Sequence, residues 1–216
     1  TPPEPARDAG VRGAGPTRCR NRPLARRAAT GHSRRVHVQL THLGGGHPPP
    51  LLGIVATLGA QPRARLASLL WPGSPHARAN LRVALHRLQH GTYGTAIVIG
   101  DEVLELAPDT TVDVLESVRL AAQGDLDGAV AASTAEFMPW LEERDVPPDG
   151  WLAQQRRRWT ETYVDLLRRA AADAEAAGDL PRARRHAAAW VAVEPRSEAA
   201  HRAGLRLAVI AADGVS

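Results

Sequence analysis

Seven side chains close together in sequence have the types and spacing to hold a polyanion: Arg63, Arg65, Arg78, Asn80, Arg82, His86 and Arg87. A guanidinium is a planar fork of donors that matches a phosphate or the O6/N7 edge of guanine. Imidazole and carboxamide groups add directional hydrogen bonds. The stretch runs RARLASLLWPGSPHARANLRVALHRL, from Arg63 to Leu88. Two prolines and a glycine in Trp71-Pro72-Gly73-Ser74-Pro75 stop one helix and force a turn into the next. In that second helix Leu81, Ala84, Leu85 and Leu88 recur at i, i+3, i+4 and i+7 and form one apolar stripe. Arg82, His86, Arg87, Ala79 and Val83 fall on the far side, with Arg78 and Gln89 at the border.

The spacing predicts a helix over Ala77–His90, held from behind by leucines and faced with arginine and histidine. A major-groove reader needs that arrangement. Arg82 and Arg87 are then candidates for phosphate or guanine contacts, and His86 for a base edge or phosphate. Arg78 and Asn80 stand at the helix N-terminus, where the dipole favours phosphate. Arg63 and Arg65 would clamp phosphate from the preceding helix. The competing reading is an ordinary amphipathic helix with a solvated charged face.

Charge distribution bears on that choice. The chain has 216 residues and a net charge of +4, with 27 Arg and no Lys. Residues 1–35 carry nine Arg against Glu4 and Asp8, and residues 36–95 carry five Arg and no acid at all. Residues 96–216 carry thirteen Arg against twenty-one acids. A basic first half on an acidic second half points to a polyanion-binding part joined to a part with another task. Arginine usage is tempered by the Arg/Ala/Gly/Pro bias expected of a GC-rich genome.

Enzyme chemistry finds little support. Without lysine there is no Walker-type phosphate loop, and no GxSxG, HExxH or EF-hand pattern occurs. Cys19 is the only cysteine, which excludes a disulfide framework and a thiolate zinc site and fits a reducing cytosol. His37, His42 and His47 sit in and beside a Gly/Pro-rich stretch and read as solvated loop residues. His186 and His201 lie on helix faces without spaced partners. Glu142, Glu143, Asp145 and Asp149 cluster around Pro147-Pro148 and read as an exposed loop. No catalytic residue, cofactor or metal ligand is expected. No run approaches the roughly 20 apolar residues of a membrane span.

Taken in order, residues 1–35 read as a disordered basic tail. Val36–Leu43 alternates weakly and predicts one short strand, and Leu51–Leu58 a short buried helix. Gly53 and Gly59 each cost up to about 1 kcal/mol inside such a helix. Pro62 suits the first turn of the Arg63 helix. After the Gly91–Gly94 loop, Ile97–Ile99 and Val103–Leu106 flank Gly100-Asp101 and predict a β-hairpin. Its tip is acidic, and no DNA role is assigned to it. Pro108–Asp113 caps the helical remainder. There Gly124-Asp125-Leu126 and Gly178-Asp179-Leu180 mark inter-helix turns, followed at the same offset by Ala129 and Ala183; a looser echo falls at Ala212-Asp213-Gly214. With Pro195 closing a second helix, a period of about 34 residues resembles a tetratricopeptide array. Trp140, Trp151, Trp159, Tyr163 and Trp190 read as packing between helix pairs.

The segments Arg65-Leu66-Ala67, Leu69–Gly73, Ala77–Leu88, Asp101–Leu106, Val112–Val114, Trp151–Trp159, Ala176–Ala192 and Glu194-Pro195 resemble the actinobacterial antibiotic-regulatory proteins of SARP type. The resemblance covers residues 51–216. It implies a mainly α protein: an OmpR-type winged helix-turn-helix with a small β-hairpin wing over residues 36–108, then a tetratricopeptide-like bacterial transcriptional activator domain over residues 109–216, whose last repeat would continue beyond Ser216. That family opens with a small antiparallel sheet, of which this chain offers one strand. The implied partners are double-stranded DNA, RNA polymerase and a second copy, with no membrane, in the cytoplasm at the nucleoid. The implied activity is activation of secondary-metabolite pathway genes. The alternative is a helical-repeat protein–protein adaptor with a degenerate DNA-binding part.

Overall fold

The computed structural model describes residues 36–41, 50–90, 96–142 and 150–213. It is mainly helical with short strands. The expected tail 1–35 with Cys19, His42, His47, the Gly91–Gly94 loop, Glu143, Asp145, Asp149 and Gly214 lie outside the described residues. All of the described residues fall within one compact unit.

The first elements among the described residues are β1 (Val36–Val38) and α1 (Pro50–Leu58). Every residue of α1 from Leu51 to Ala56 is buried, as an apolar run with no polar face requires. Gly53 tolerates this packing because it lacks a side chain: a Cβ there would stand 2.5 Å from Met138 Sδ. Gly59, expected inside this helix, lies just past its end. Pro62 also differs from expectation. It closes β2 (Gln61–Pro62) in an extended conformation, and α2 (Arg63–Leu70) starts after it.

The five-residue stop works as its composition demands. The Trp71 amide donates to Ala67 O at 3.0 Å and ends α2. The Ser74 amide then donates to Trp71 O at 3.2 Å, and Ser74 Oγ accepts from the His76 amide at 3.2 Å. α3 (Ala77–His90) follows with Leu81, Leu85 and Leu88 buried, the stripe expected from the spacing. The hairpin comes next as β3 (Val98–Ile99) and β4 (Val103–Leu106). β4 pairs antiparallel with β3 on one side and with β2 on the other, giving the order β2-β4-β3.

One strand was not legible. Residues expected only to cap a helix form β5 (Thr110–Val112), which pairs parallel with β1 in the register Val36↔Thr110. Its anchor is Asp113, the first residue of α4 (Asp113–Ala122). Asp113 Oδ1 accepts from the Leu40 amide at 2.9 Å, and Oδ2 from the Thr41 amide and hydroxyl at 2.8 and 2.7 Å.

The helical remainder continues with α5 (Leu126–Ala131), α6 (Trp151–Ala176), α7 (Leu180–Val193) and α8 (Glu198–Asp213). The two Gly-Asp-Leu segments make the same turn. Gly124 and Gly178 take φ of +85° and +74°, the left-handed step that closes a helix C-terminus. Asp125 N donates to Leu120 O at 3.0 Å and Asp179 N to Ala174 O at 2.9 Å. Asp125 Oδ1 then caps the Gly128 amide at 2.8 Å, and Asp179 Oδ1 the Arg182 amide at 3.0 Å. Ala129 and Ala183, at the same offset after each turn, are fully buried.

The main core draws on Leu52, Leu66, Leu81 and Leu104 and equally on Phe137, Met138, Trp151 and Trp159. Arg156 fastens the segment between α5 and α6 over it, donating to the carbonyls of Phe137, Met138 and Leu141 at 3.1, 2.8 and 2.7 Å. Trp151, Trp159 and Trp190 are buried, and Trp140 and Tyr163 half-buried.

Candidate nucleic-acid interface

α3 is seated by Leu81, Leu85 and Leu88 against the core, so its opposite face is turned outward by helical geometry alone. On that face Arg78, Arg82, His86 and Arg87 are exposed, and Asn80 is half-buried in the first turn. Arg65 on α2 is also exposed. None of Arg65, Arg78, Arg82 and Arg87 has an acidic partner among the described residues. In the acidic half of the chain Arg119, Arg168, Arg182, Arg202 and Arg206 are ion-paired, while Arg157, Arg158, Arg184, Arg185 and Arg196 have no acidic partner among the described residues. The first turn of α3 holds no acid, so no anionic side chain compensates the helix dipole there; the Ala77 and Asn80 amides are taken by Ser74 O and His76 O at 3.2 and 2.9 Å.

Arg63 departs from expectation. Its Nη1 donates to Asp101 O at 3.1 Å and lies 3.5 Å from Asp101 Oδ1, while its amide donates to Glu102 O at 2.8 Å. Pairing of β2 with β4 sets the hairpin turn against the start of α2, and the acidic tip takes up this guanidinium. Arg63 is a brace between helix and hairpin and stands apart from the free arginines.

Two more residues join the face. His90 lies one turn beyond His86, their ring centroids 4.4 Å apart, and His76 is exposed in the preceding turn. Their signal was the helical spacing from His86 to His90 and the run without acids. Val83 is 49% exposed in the middle of the arginines.

A second cluster lies elsewhere. His186, expected to lack a partner, is buried on α7 with Nε2 2.6 Å from Asp127 Oδ1 on α5. Arg182 reaches Asp127 Oδ2 at 2.9 Å and Asp173 Oδ2 at 3.1 Å. The partner was invisible in sequence because it comes from a different helix pair. His201 Nε2 lies 2.9 Å from Pro195 O. Hydrogen bonding from His186, then attraction from Arg182, holds the Asp127 carboxyl below its ordinary range. The cluster ties α5 to α6 and α7.

Among the described residues no group of His, Cys, Asp and Glu could hold a metal ion, and no helix is long and apolar enough to cross a membrane. No family model matches the chain, and no curated protein matches it.

Proposed function

We propose that this chain is a sequence-specific regulator of transcription that binds double-stranded DNA. In this reading residues 36–108 act as a winged helix-turn-helix, with α2, the Pro/Gly stop and α3 as its core and β3–β4 as the wing. Residues 109–216 act as a tetratricopeptide-like activator part. The supporting observation is the uncovered, acid-free face of α3, on which Arg82, Arg87 and His86 stand free over a leucine-seated back. Arg82 and Arg87 contact phosphate or guanine, His86 a base edge, and Val83 a thymine methyl. Arg78 and Asn80 fix the backbone at the helix N-terminus, and Arg65 adds phosphate contact from α2. By the SARP resemblance, the helical part serves activation of pathway genes through RNA polymerase or a second copy.

The test is selection of bound fragments from a random duplex library, followed by footprinting. The wild-type chain yields one recurring motif, and Arg82→Ala with Arg87→Ala abolishes the footprint with helical content unchanged. Each bidentate base contact contributes about 1–3 kcal/mol of discrimination.

One observation favours a second reading. Asp101 and Glu102 make the hairpin tip acidic, and Asp101 is fully exposed at its side chain, which suits a protein partner better than a minor groove. In that case the chain is a helical-repeat adaptor, and its retention on a DNA resin shows no steep dependence on salt.

A further inference from the structure

The last two helices leave a groove that neither of them fills. Its floor is Ala187, Val191, Gly204 and Ala208, its volume about 550 Å³, and no acidic residue lines it. Gly204 keeps the floor low: a Cβ added there would meet nothing within 4 Å. Next to these positions on α8, Leu205 and Val209 are 70% and 60% exposed. Exposed aliphatic side chains on a helix that also lines an apolar groove mark a candidate binding face.

The rim decides what fits. Arg184 and Arg185 line the groove and are exposed, and neither has an acidic partner among the described residues. Arg182 on the same helix and Arg202 and Arg206 on α8 are all paired. A second copy docked face to face would bring the same arginines to one interface, and like charges across an interface are costly. A helix carrying an apolar stripe with carboxylates beside it would cover the floor and pair the rim.

We propose that the α7–α8 groove is the docking surface for an amphipathic, acidic helix of a partner protein. It holds whether or not α3 binds DNA. The probe is a fluorescein-labelled peptide of about 16 residues, four helical turns, built from Leu, Ala and Glu at amphipathic spacing. A control carries Lys at every Glu position. Anisotropy on the full chain gives saturable binding of the Glu peptide and at least about tenfold weaker binding of the Lys peptide. Arg184→Glu with Arg185→Glu weakens the Glu peptide by about tenfold or more, a change of about 1.4 kcal/mol. Gly204→Leu fills the floor and does the same without lowering the melting temperature. Absence of Glu-peptide binding, equal binding of the two peptides, or binding indifferent to Gly204→Leu would overturn the proposal. Sedimentation showing a dimer that Gly204→Leu dissociates would overturn it in favour of a second copy.

Discussion

His186 Nε2 and Asp127 Oδ1 meet at 2.6 Å although 59 residues separate them in sequence. With Arg182 bridging Asp127 to Asp173, this contact ties α5 to α6 and α7 and so joins one helix pair to the next. The two small apolar clusters among these helices are built mostly from alanines, which bury little area each. The polar tie therefore matters to how the helices stack.

Asp127→Asn keeps the shape and removes the charge. The carboxylate is half-exposed, so the expected cost at neutral pH is modest, about 0.5–1 kcal/mol, or roughly 1–4 °C in Tm. The pH dependence has a definite sign. The folded-state pKa is depressed from 3.8, so the stabilisation is present above the unfolded value and is lost as pH falls through the lower folded value. Thermal melts of both proteins between about pH 6 and about pH 3 should show the Tm gap closing toward acid. A gap that stays constant across the range contradicts the assignment.

Asp113 carries a larger load. Its carboxylate satisfies the buried amides of Leu40 and Thr41 and fastens the parallel β1–β5 pair to α4. Asp113→Ala strands those donors, and the expected loss is about 2–4 kcal/mol. Urea unfolding measures it directly, and a loss below about 1 kcal/mol would mean that water replaces the carboxylate.

These two carboxylates also mark where the sequence stopped being informative. Local signals served well. The Pro/Gly stop, the leucine stripe of α3, the hairpin around Gly100 and the paired Gly-Asp-Leu turns all depend on residues within a turn or two of each other. Asp113 to Leu40, Asp127 to His186, Arg156 to the Phe137 carbonyl and β1 to β5 are set by how elements meet in space, and no period announces them. The face of α3 was legible residue by residue because a helical wheel is a local property. The contact of Arg63 with the hairpin was not legible because its partner Asp101 stands 38 positions away.

Two helical glycines should respond in opposite directions. At Gly53 any larger side chain runs into Met138, and Gly53→Val is expected to destabilise by about 1–3 kcal/mol through overpacking. At Gly204 the space is open, and Gly204→Ala should stabilise by up to about 1 kcal/mol through helix propensity. Differential scanning calorimetry of the two variants checks both signs, and a neutral Gly53→Val would show that α1 and Met138 are not in close contact.

Val83 supplies a chemical test of base contact. If its methyls meet a thymine, replacing that thymine by deoxyuridine in a selected duplex weakens wild-type binding and leaves Val83→Ala unaffected. Equal sensitivity of the two proteins at every thymine would remove Val83 from the reading face.

The most direct measurement is the affinity of the full chain for its selected duplex as a function of salt, beside that of the Arg82→Ala, Arg87→Ala double variant. The account predicts a steep decline, with a log–log slope of about −0.9 for each phosphate neutralised. It also predicts at least about 30-fold weaker binding by the variant at fixed salt, from two contacts of at least about 1 kcal/mol each. Binding by the wild-type chain that is flat in salt, or equal in the double variant, would contradict it.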